Sequence, residues 1–266
     1  MNARNVYWDW SAMERDVVMP SILAIGDSWF WYPFPGGSLL NQLGPLVAPK
    51  GHSILALGNN GAKAWDYAFG RFRPAVLNAL RLHGSSLSAV FISGGGNDFA
   101  GFNDLRPMLN LDCTQAPDVA ACFVSGPQPG SLDDLMDEMA ECYQQLVNEI
   151  SAVTPAGCHI VVHNYDQAIP TGRGVFGHQH SWLKPALDAA RVPLALQAAC
   201  VRQVLARFTA VLSSLVAQNP DRVVFVDSAG TLRADEWANE LHPTPEGFDR
   251  ISVERWAPVL RQSGLV

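Results

Sequence analysis

Five short apolar runs constrain this chain more than any other feature. They cover residues 21–25, 54–57, 89–93, 159–163 and 222–226, and each ends in loop or polar residues. Continuous runs of this length, with their β-branched content, fit strands buried on both faces of a parallel sheet. A sheet with one wet face would alternate instead. Segments of helical periodicity lie between and around them, at 38–46, 62–82, 131–153 and 193–216. Ser131 is placed to cap the third, with Asp133 and Asp134 in its first turn and Leu135, Met139, Leu146 and Ile150 at helical spacing. Thr244-Pro245-Glu246 reads as a further helix start, a hydroxyl cap followed by proline at the first helical position. Repeated strand–helix alternation predicts an α/β chain with a five-stranded parallel sheet and helices on both faces. No internal repeat or low-complexity linker divides the 266 residues, so one domain is expected.

Two segments interrupt the alternation, at about 99–130 and 165–192; both are rich in loop-forming residues and both follow predicted strands. Open α/β sheets bind ligands at the carboxyl ends of their strands, so these insertions are expected to form a lid or substrate wall.

The totals narrow the function classes. Lys plus Arg is 18 and Asp plus Glu is 25, giving a formal charge of −7. Nucleic acid is therefore not an expected partner, because phosphates call for clustered basic residues. The start of the chain has no apolar run of signal-peptide length, and no stretch reaches about 18 uninterrupted apolar residues. A soluble, cytoplasmic protein without a membrane span is the expectation. The five cysteines (113, 122, 142, 158 and 200) lack zinc-ligand spacing and read as buried thiols. Cys113 and Cys122 share one loop-like stretch, where an oxidising compartment would allow a local bridge.

Three patches carry chemistry. Gly26-Asp27-Ser28-Trp29-Phe30 follows the first predicted strand, Gly94-Gly95-Gly96-Asn97-Asp98 follows the third, and Asn239-Glu240-Leu241-His242-Pro243-Thr244 precedes the last helix. Each alone reads as a turn. Together, in this order and at these strand ends, they supply what acyl transfer needs. A serine hydroxyl at a strand–helix junction is presented at the sheet edge, an imidazole takes its proton, and backbone N–H groups with an Asn amide hold the oxyanion.

These residues resemble the SGNH hydrolases, also called GDSL esterases and lipases. Gly26-Asp27-Ser28 resembles the family's nucleophile block, Gly95-Gly96-Asn97-Asp98 its third block, and His242-Pro243-Thr244 the histidine of its last block. Gly61 stands where the oxyanion glycine is expected, with Gly58 as the alternative. The resemblance runs from about residue 21 to 255. It implies a flavodoxin-like three-layer α/β/α sandwich, Ser28 as nucleophile, His242 as base, and an oxyanion hole of Ser28 N–H, Gly61 N–H and the Asn97 amide. No cofactor or metal is implied.

One departure concerns the acid that normally stands three residues before the histidine, where this chain has Asn239. Three readings compete. Asn239 or a backbone carbonyl orients His242 in a working dyad; Asp235 or Glu240 serves as the acid; or the site is catalytically weak. The dyad is favoured because the other site residues are intact.

Among other candidates, one or two of the aromatic rings at Trp29, Phe30, Trp31, Tyr32 and Phe34 are expected to line an apolar pocket, with Trp182 a further wall. His163 and Asp166 fit a structural role at a strand terminus. His178 and His180 lack partners spaced to complete a metal site. The Gly-x-Ser-x-Gly elbow and Gly-x-Gly-x-x-Gly loop are both missing, which argues against an α/β-hydrolase triad and a dinucleotide site. The expected function is hydrolysis of small to medium acyl or aryl esters, acetylated sugars included. A binding module on the same fold, holding an ester or glycan without turnover, and an acyltransferase are the competing expectations.

Overall fold

The computed structural model describes residues 4–31, 37–177 and 180–266. Its centre is a parallel sheet in the order β1-β3-β2-β4-β5-β6. The strands are β1 (Val6–Tyr7), β2 (Ile22–Gly26), β3 (Ile54–Gly58), β4 (Ala89–Ser93), β5 (His159–His163) and β6 (Val223–Val226). The five apolar runs thus become the five inner and far strands, and β2 and β4 are buried at every position. Helices cover both faces, which explains why those runs show no polar alternation.

The sheet has six strands where five were expected. The extra one, β1, is two residues long, too short to display a period, and pairs Val6 with Ile54 and Tyr7 with Leu55. Asn5 secures it: its carbonyl accepts the Ile54 N–H, and its amide donates to the Gly44 and His52 carbonyls.

The helices largely follow the periodicity. Leu132–Val153 is capped by Ser131, whose hydroxyl accepts the Asp134 N–H at 3.2 Å. Pro245–Ile251 is capped by Thr244, which accepts from Gly247. The expected 62–82 helix is broken into Ala64–Ala68 and Arg73–His83. The break falls at Gly70, where the chain turns so tightly that a Cβ would lie 2.7 Å from the Trp65 ring. Leu194–Gln218 is long and apolar enough to cross a bilayer by composition. Its buried stripe of Cys200, Val201, Val204, Leu205, Phe208, Leu212 and Leu215 packs toward Leu132–Val153 and β6.

The 99–130 insertion folds back on itself through an antiparallel bridge between Leu109 and Phe123. All five cysteines are buried free thiols. Cys113 Sγ donates to the Cys122 carbonyl at 3.5 Å, so this pair is unbridged. Burial pushes the Cys142 and Cys200 thiols up to about 12.

Topology fixes the position of the site. From β2 the chain moves to β3 on one side, and later to β4 on the other. The connections following β2 and β4 therefore diverge, opening a crevice at their carboxyl ends. Ser28 follows β2 and Asn97 follows β4.

Candidate active site

Ser28 owes its presentation to the residues on either side. Gly26 ends β2 against Ser93, and a Cβ there would lie 2.8 Å from Phe30 Cδ2 and 2.9 Å from Ser93 Cβ. The Asp27 carbonyl accepts from Phe30 N and Trp31 N, while the Asp27 carboxylate accepts the Trp29 N–H at 3.0 Å. This tight turn places Ser28 at its apex. Among the described residues no hydrogen bond engages the Ser28 N–H or the Gly61 N–H.

His242 comes from a short hairpin before the last helices. Trp237 and Pro243 form an antiparallel bridge, and the His242 carbonyl accepts the Ala238 N–H at 2.9 Å. The Leu241 carbonyl accepts from the Trp29 indole N–H at 2.9 Å, fastening the His242 loop to the Ser28 turn. His242 Nε2 stands 2.7 Å from Ser28 Oγ, and Nδ1 stands 2.9 Å from Asn239 Oδ1.

The orientation of the Asn239 amide follows from its surroundings. The same Oδ1 accepts the backbone N–H of Leu241 at 3.0 Å and that of His242 at 2.9 Å. Two backbone donors cannot face an NH₂ group, so the carbonyl oxygen must occupy this position. An acceptor there requires the proton on Nδ1, which leaves the Nε2 lone pair directed at Ser28. Asn239 thus imposes the tautomer that a carboxylate would impose, without its charge. Burial lowers His242 to about 4.

The two other acid candidates lie elsewhere. Asp235 is exposed in the turn Ala234–Glu236. Glu240 is fully buried and faces away from the imidazole, accepting backbone N–H groups from Gly172, Trp182, Leu183 and Lys184 at 2.7–3.2 Å. It clasps the 165–192 insertion to the histidine loop. That clasp seats the Trp182 ring edge-on to His242, with centroids 5.7 Å apart.

Asn97 lies across the crevice from the dyad. One of its amide protons goes to the Ala62 carbonyl at 3.0 Å, and the Asp98 carboxylate accepts the Ala64 N–H at 3.0 Å. These two bonds fasten the Gly61 loop to the Asn97 turn, and Lys63 to Asp104 adds an ion pair at 2.7 Å. Gly61 itself takes a left-handed φ of 71° in an open turn. Gly58, the alternative, is the last residue of β3, held so close to Trp31 that a Cβ would overlap its side chain. Burial pushes the Asp98 carboxyl up to about 7.

A cleft open to solvent adjoins Ser28. Its walls are Trp29, Phe99, Ala100, Tyr165, Ala168, Leu205, Trp237 and Leu241, with Asp27, Asn97 and Asp166 as polar lining. Trp29 therefore lines the cleft. Its neighbour Phe30 is fully buried, stacked on His163 and edge-on to Trp256, and belongs to the core. Tyr32, Phe34 and His178 lie outside the described residues, and His180 is exposed. His163 is buried among aromatic rings, which lowers it to about 3. The Asp166 carboxylate is occupied by the N–H groups of Gln167, Gly230, Thr231 and Leu232. Asp166 also borders the cleft beside Ser28.

Sequence reasoning passed over Asp27, Tyr165 and the walls at Phe99, Ala100, Ala168, Leu205, Trp237 and Leu241 as contributors to this site. Tyr165 had one available signal: it follows the carboxyl end of β5 as Ser28 follows that of β2.

Comparison with known proteins agrees with the geometry. Residues 24–250 match the GDSL-like lipase/acylhydrolase family. A search of curated proteins gave no match. Among solved structures, the chain resembles an extracellular lipase from Streptomyces rimosus at 17% identity and a TM-score of 0.54, over 92% of this chain and 99% of that one. It also resembles the lipase Lip_vut3 from a goat rumen metagenome at 12% identity and a TM-score of 0.56, over 93% and 98%. At these identities the structural likeness speaks for the fold, a parallel α/β sheet flanked by helices. The family match spans most of the sequence and includes all three of the patches that meet at the crevice: the chain belongs to the GDSL-like lipase/acylhydrolase family.

Proposed function

We propose that this hydrolase cleaves carboxylic esters of short acyl groups through an acyl-enzyme on Ser28. The observation that carries the reading is the convergence of three N–H donors on Asn239 Oδ1, which aims a basic Nε2 at Ser28 Oγ from 2.7 Å.

In the first step Ser28 Oγ attacks the ester carbonyl as its proton passes to His242 Nε2. The Ser28 N–H, the Gly61 N–H and the second Asn97 amide proton receive the oxyanion; losing one such donor typically costs about 10²–10³ in turnover. His242 then protonates the departing alcohol. Water enters, gives its proton to His242, and releases the acid by the reverse route. The cleft beside Ser28 is walled by rings and short aliphatic chains, which supports acetyl- to butyryl-sized acyl groups.

The test is hydrolysis of p-nitrophenyl acetate and butyrate by the protein beside Ser28→Ala. Turnover that disappears in the variant supports the reading, and equal background rates in both overturn it. One feature favours a second reading, a binding module: the group that holds His242 Nδ1 is the Asn239 amide in place of a carboxylate. Stoichiometric labelling of Ser28 by an organophosphonate separates the two, since a binding module takes up none.

A further inference from the structure

Tyr165 is in an uncommon position for a bulky side chain. It lies two residues past β5 with a left-handed φ of 63°, a region that a residue with a Cβ adopts only when its surroundings insist. It is 4% exposed, and what little shows faces the cleft beside Ser28. Trp29 meets its ring edge-on at 5.0 Å, Phe208 stacks on it at 6.2 Å, and its backbone N–H points to His163 Nδ1 at 3.4 Å.

The strained backbone delivers the hydroxyl to one place. It donates to Asp27 Oδ2 at 2.7 Å, and the Gly96 N–H is directed at the hydroxyl oxygen itself. The other carboxylate oxygen of Asp27 accepts from Trp29 N and Ser93 Oγ, each at 3.0 Å. Asp27 immediately precedes Ser28, and Gly96 immediately precedes Asn97. A Cβ on Gly96 would lie 3.2 Å from Tyr165 Cζ and 3.4 Å from Asp27 Oδ2, so the Asn97 turn is seated directly on this pair. One hydroxyl therefore links the turn that carries the nucleophile to the turn that carries the oxyanion amide.

We propose that Tyr165 is a positioning residue that sets the separation of Ser28 and Asn97 by bridging Asp27 and Gly96. The proposal rests on the acyl-enzyme reading. It adds the end of β5 to the parts of the fold on which the reaction depends. Removing the hydroxyl leaves a buried carboxylate oxygen without its donor and frees the Asn97 turn to drift. An oxyanion donor displaced by a few tenths of an ångström weakens the transition state more than it weakens binding of the ester.

The experiment compares wild type, Tyr165→Phe, Asp27→Asn and the double variant for kcat and KM on p-nitrophenyl acetate. Ser28→Ala serves as the blank, and thermal melting is followed alongside. Tyr165→Phe is expected to lower kcat about 10- to 100-fold, to leave KM within about threefold, and to slow phosphonate labelling of Ser28 to a similar degree. The double variant is expected to be no slower than the slower single variant, because both changes break the same bridge. A lowered melting temperature with kcat and labelling rate unchanged overturns the proposal, as does a double variant whose loss is the product of the single losses. Those results leave the esterase reading standing. A wild type that neither exceeds Ser28→Ala nor takes up phosphonate removes the reading and the proposal with it.

Discussion

Replacing Asn239 by Asp isolates the one element of a full triad that this site lacks. Asn239 Oδ1 is 2.9 Å from Nδ1 and already fixes the productive tautomer, so the substitution changes charge with little change in geometry. In the serine-protease template, an acid-to-Asn change costs about 10⁴ in turnover, mainly through the wrong tautomer. That part of the loss is not incurred here, and only the charge remains to be regained. Two unit charges about 4 Å apart interact by about 4 kcal/mol at an effective dielectric of 20. The new carboxylate would be buried as Asn239 is, at 5% exposure, so its desolvation offsets roughly half of this gain. A net contribution of about 2 kcal/mol corresponds to roughly a 30-fold increase in kcat.

The pH profile gives an independent check. In the native protein His242 is held at about 4, so under the proposed mechanism the base is expected to stay neutral down to that pH, with activity falling as pH drops through it. A neighbouring carboxylate favours the imidazolium and moves this limb upward by about 1–2 units. The assay is p-nitrophenyl acetate hydrolysis from pH 4 to 9 in buffers of constant ionic strength. An Asn239→Asp variant that folds normally but shows neither faster turnover at pH 8 nor a raised acid limb would refute the account of how His242 is oriented.

Three further outcomes are expected. Glu240→Ala strands four backbone donors at once and should cost about 3–5 kcal/mol in urea unfolding. Its activity should drop as Trp182 leaves the face of His242, with Glu240→Gln intermediate in both measurements. His163→Leu should resist acid better than the native chain. The native imidazole, held near 3 against about 6.5 when unfolded, binds fewer protons than the unfolded chain between those values, so its stability is lost as pH falls through that window. The difference amounts to about 3 kcal/mol by pH 4, read as the change in the variant's urea midpoint relative to native between pH 7 and pH 4. Chain-length profiling should show kcat/KM falling at least tenfold from p-nitrophenyl butyrate to decanoate; a flat profile would mean that the acyl chain bypasses the cleft beside Ser28.

Much of this architecture is legible in the sequence because burial on both faces of a sheet leaves an uninterrupted apolar run. That rule finds β2 to β6, and chain order then brings Ser28 and Asn97 to neighbouring strand ends. It misses β1, since two residues carry no period, and it joins the helices on either side of Gly70. Direction is harder to read than position. Asn239 and Glu240 are adjacent, yet one turns to the imidazole and the other to a distant loop. Trp29 and Phe30 are adjacent, yet one lines the cleft and the other fills the core. Tyr165 depends on a left-handed backbone and on three turns meeting in space, and neither condition leaves a mark on local sequence.

The five buried thiols bear on how this protein answers to electrophiles. In the folded chain all five thiols are buried, so an alkylating reagent reaches none of them, while under the proposed acyl-enzyme mechanism a serine-directed phosphonate adds a single mass. Loss of structure reverses the picture and exposes five new nucleophiles together. Iodoacetamide uptake therefore acts as a clock for opening of the core, and phosphonate uptake as a gauge of the intact site. Both can be read from one intact-mass spectrum.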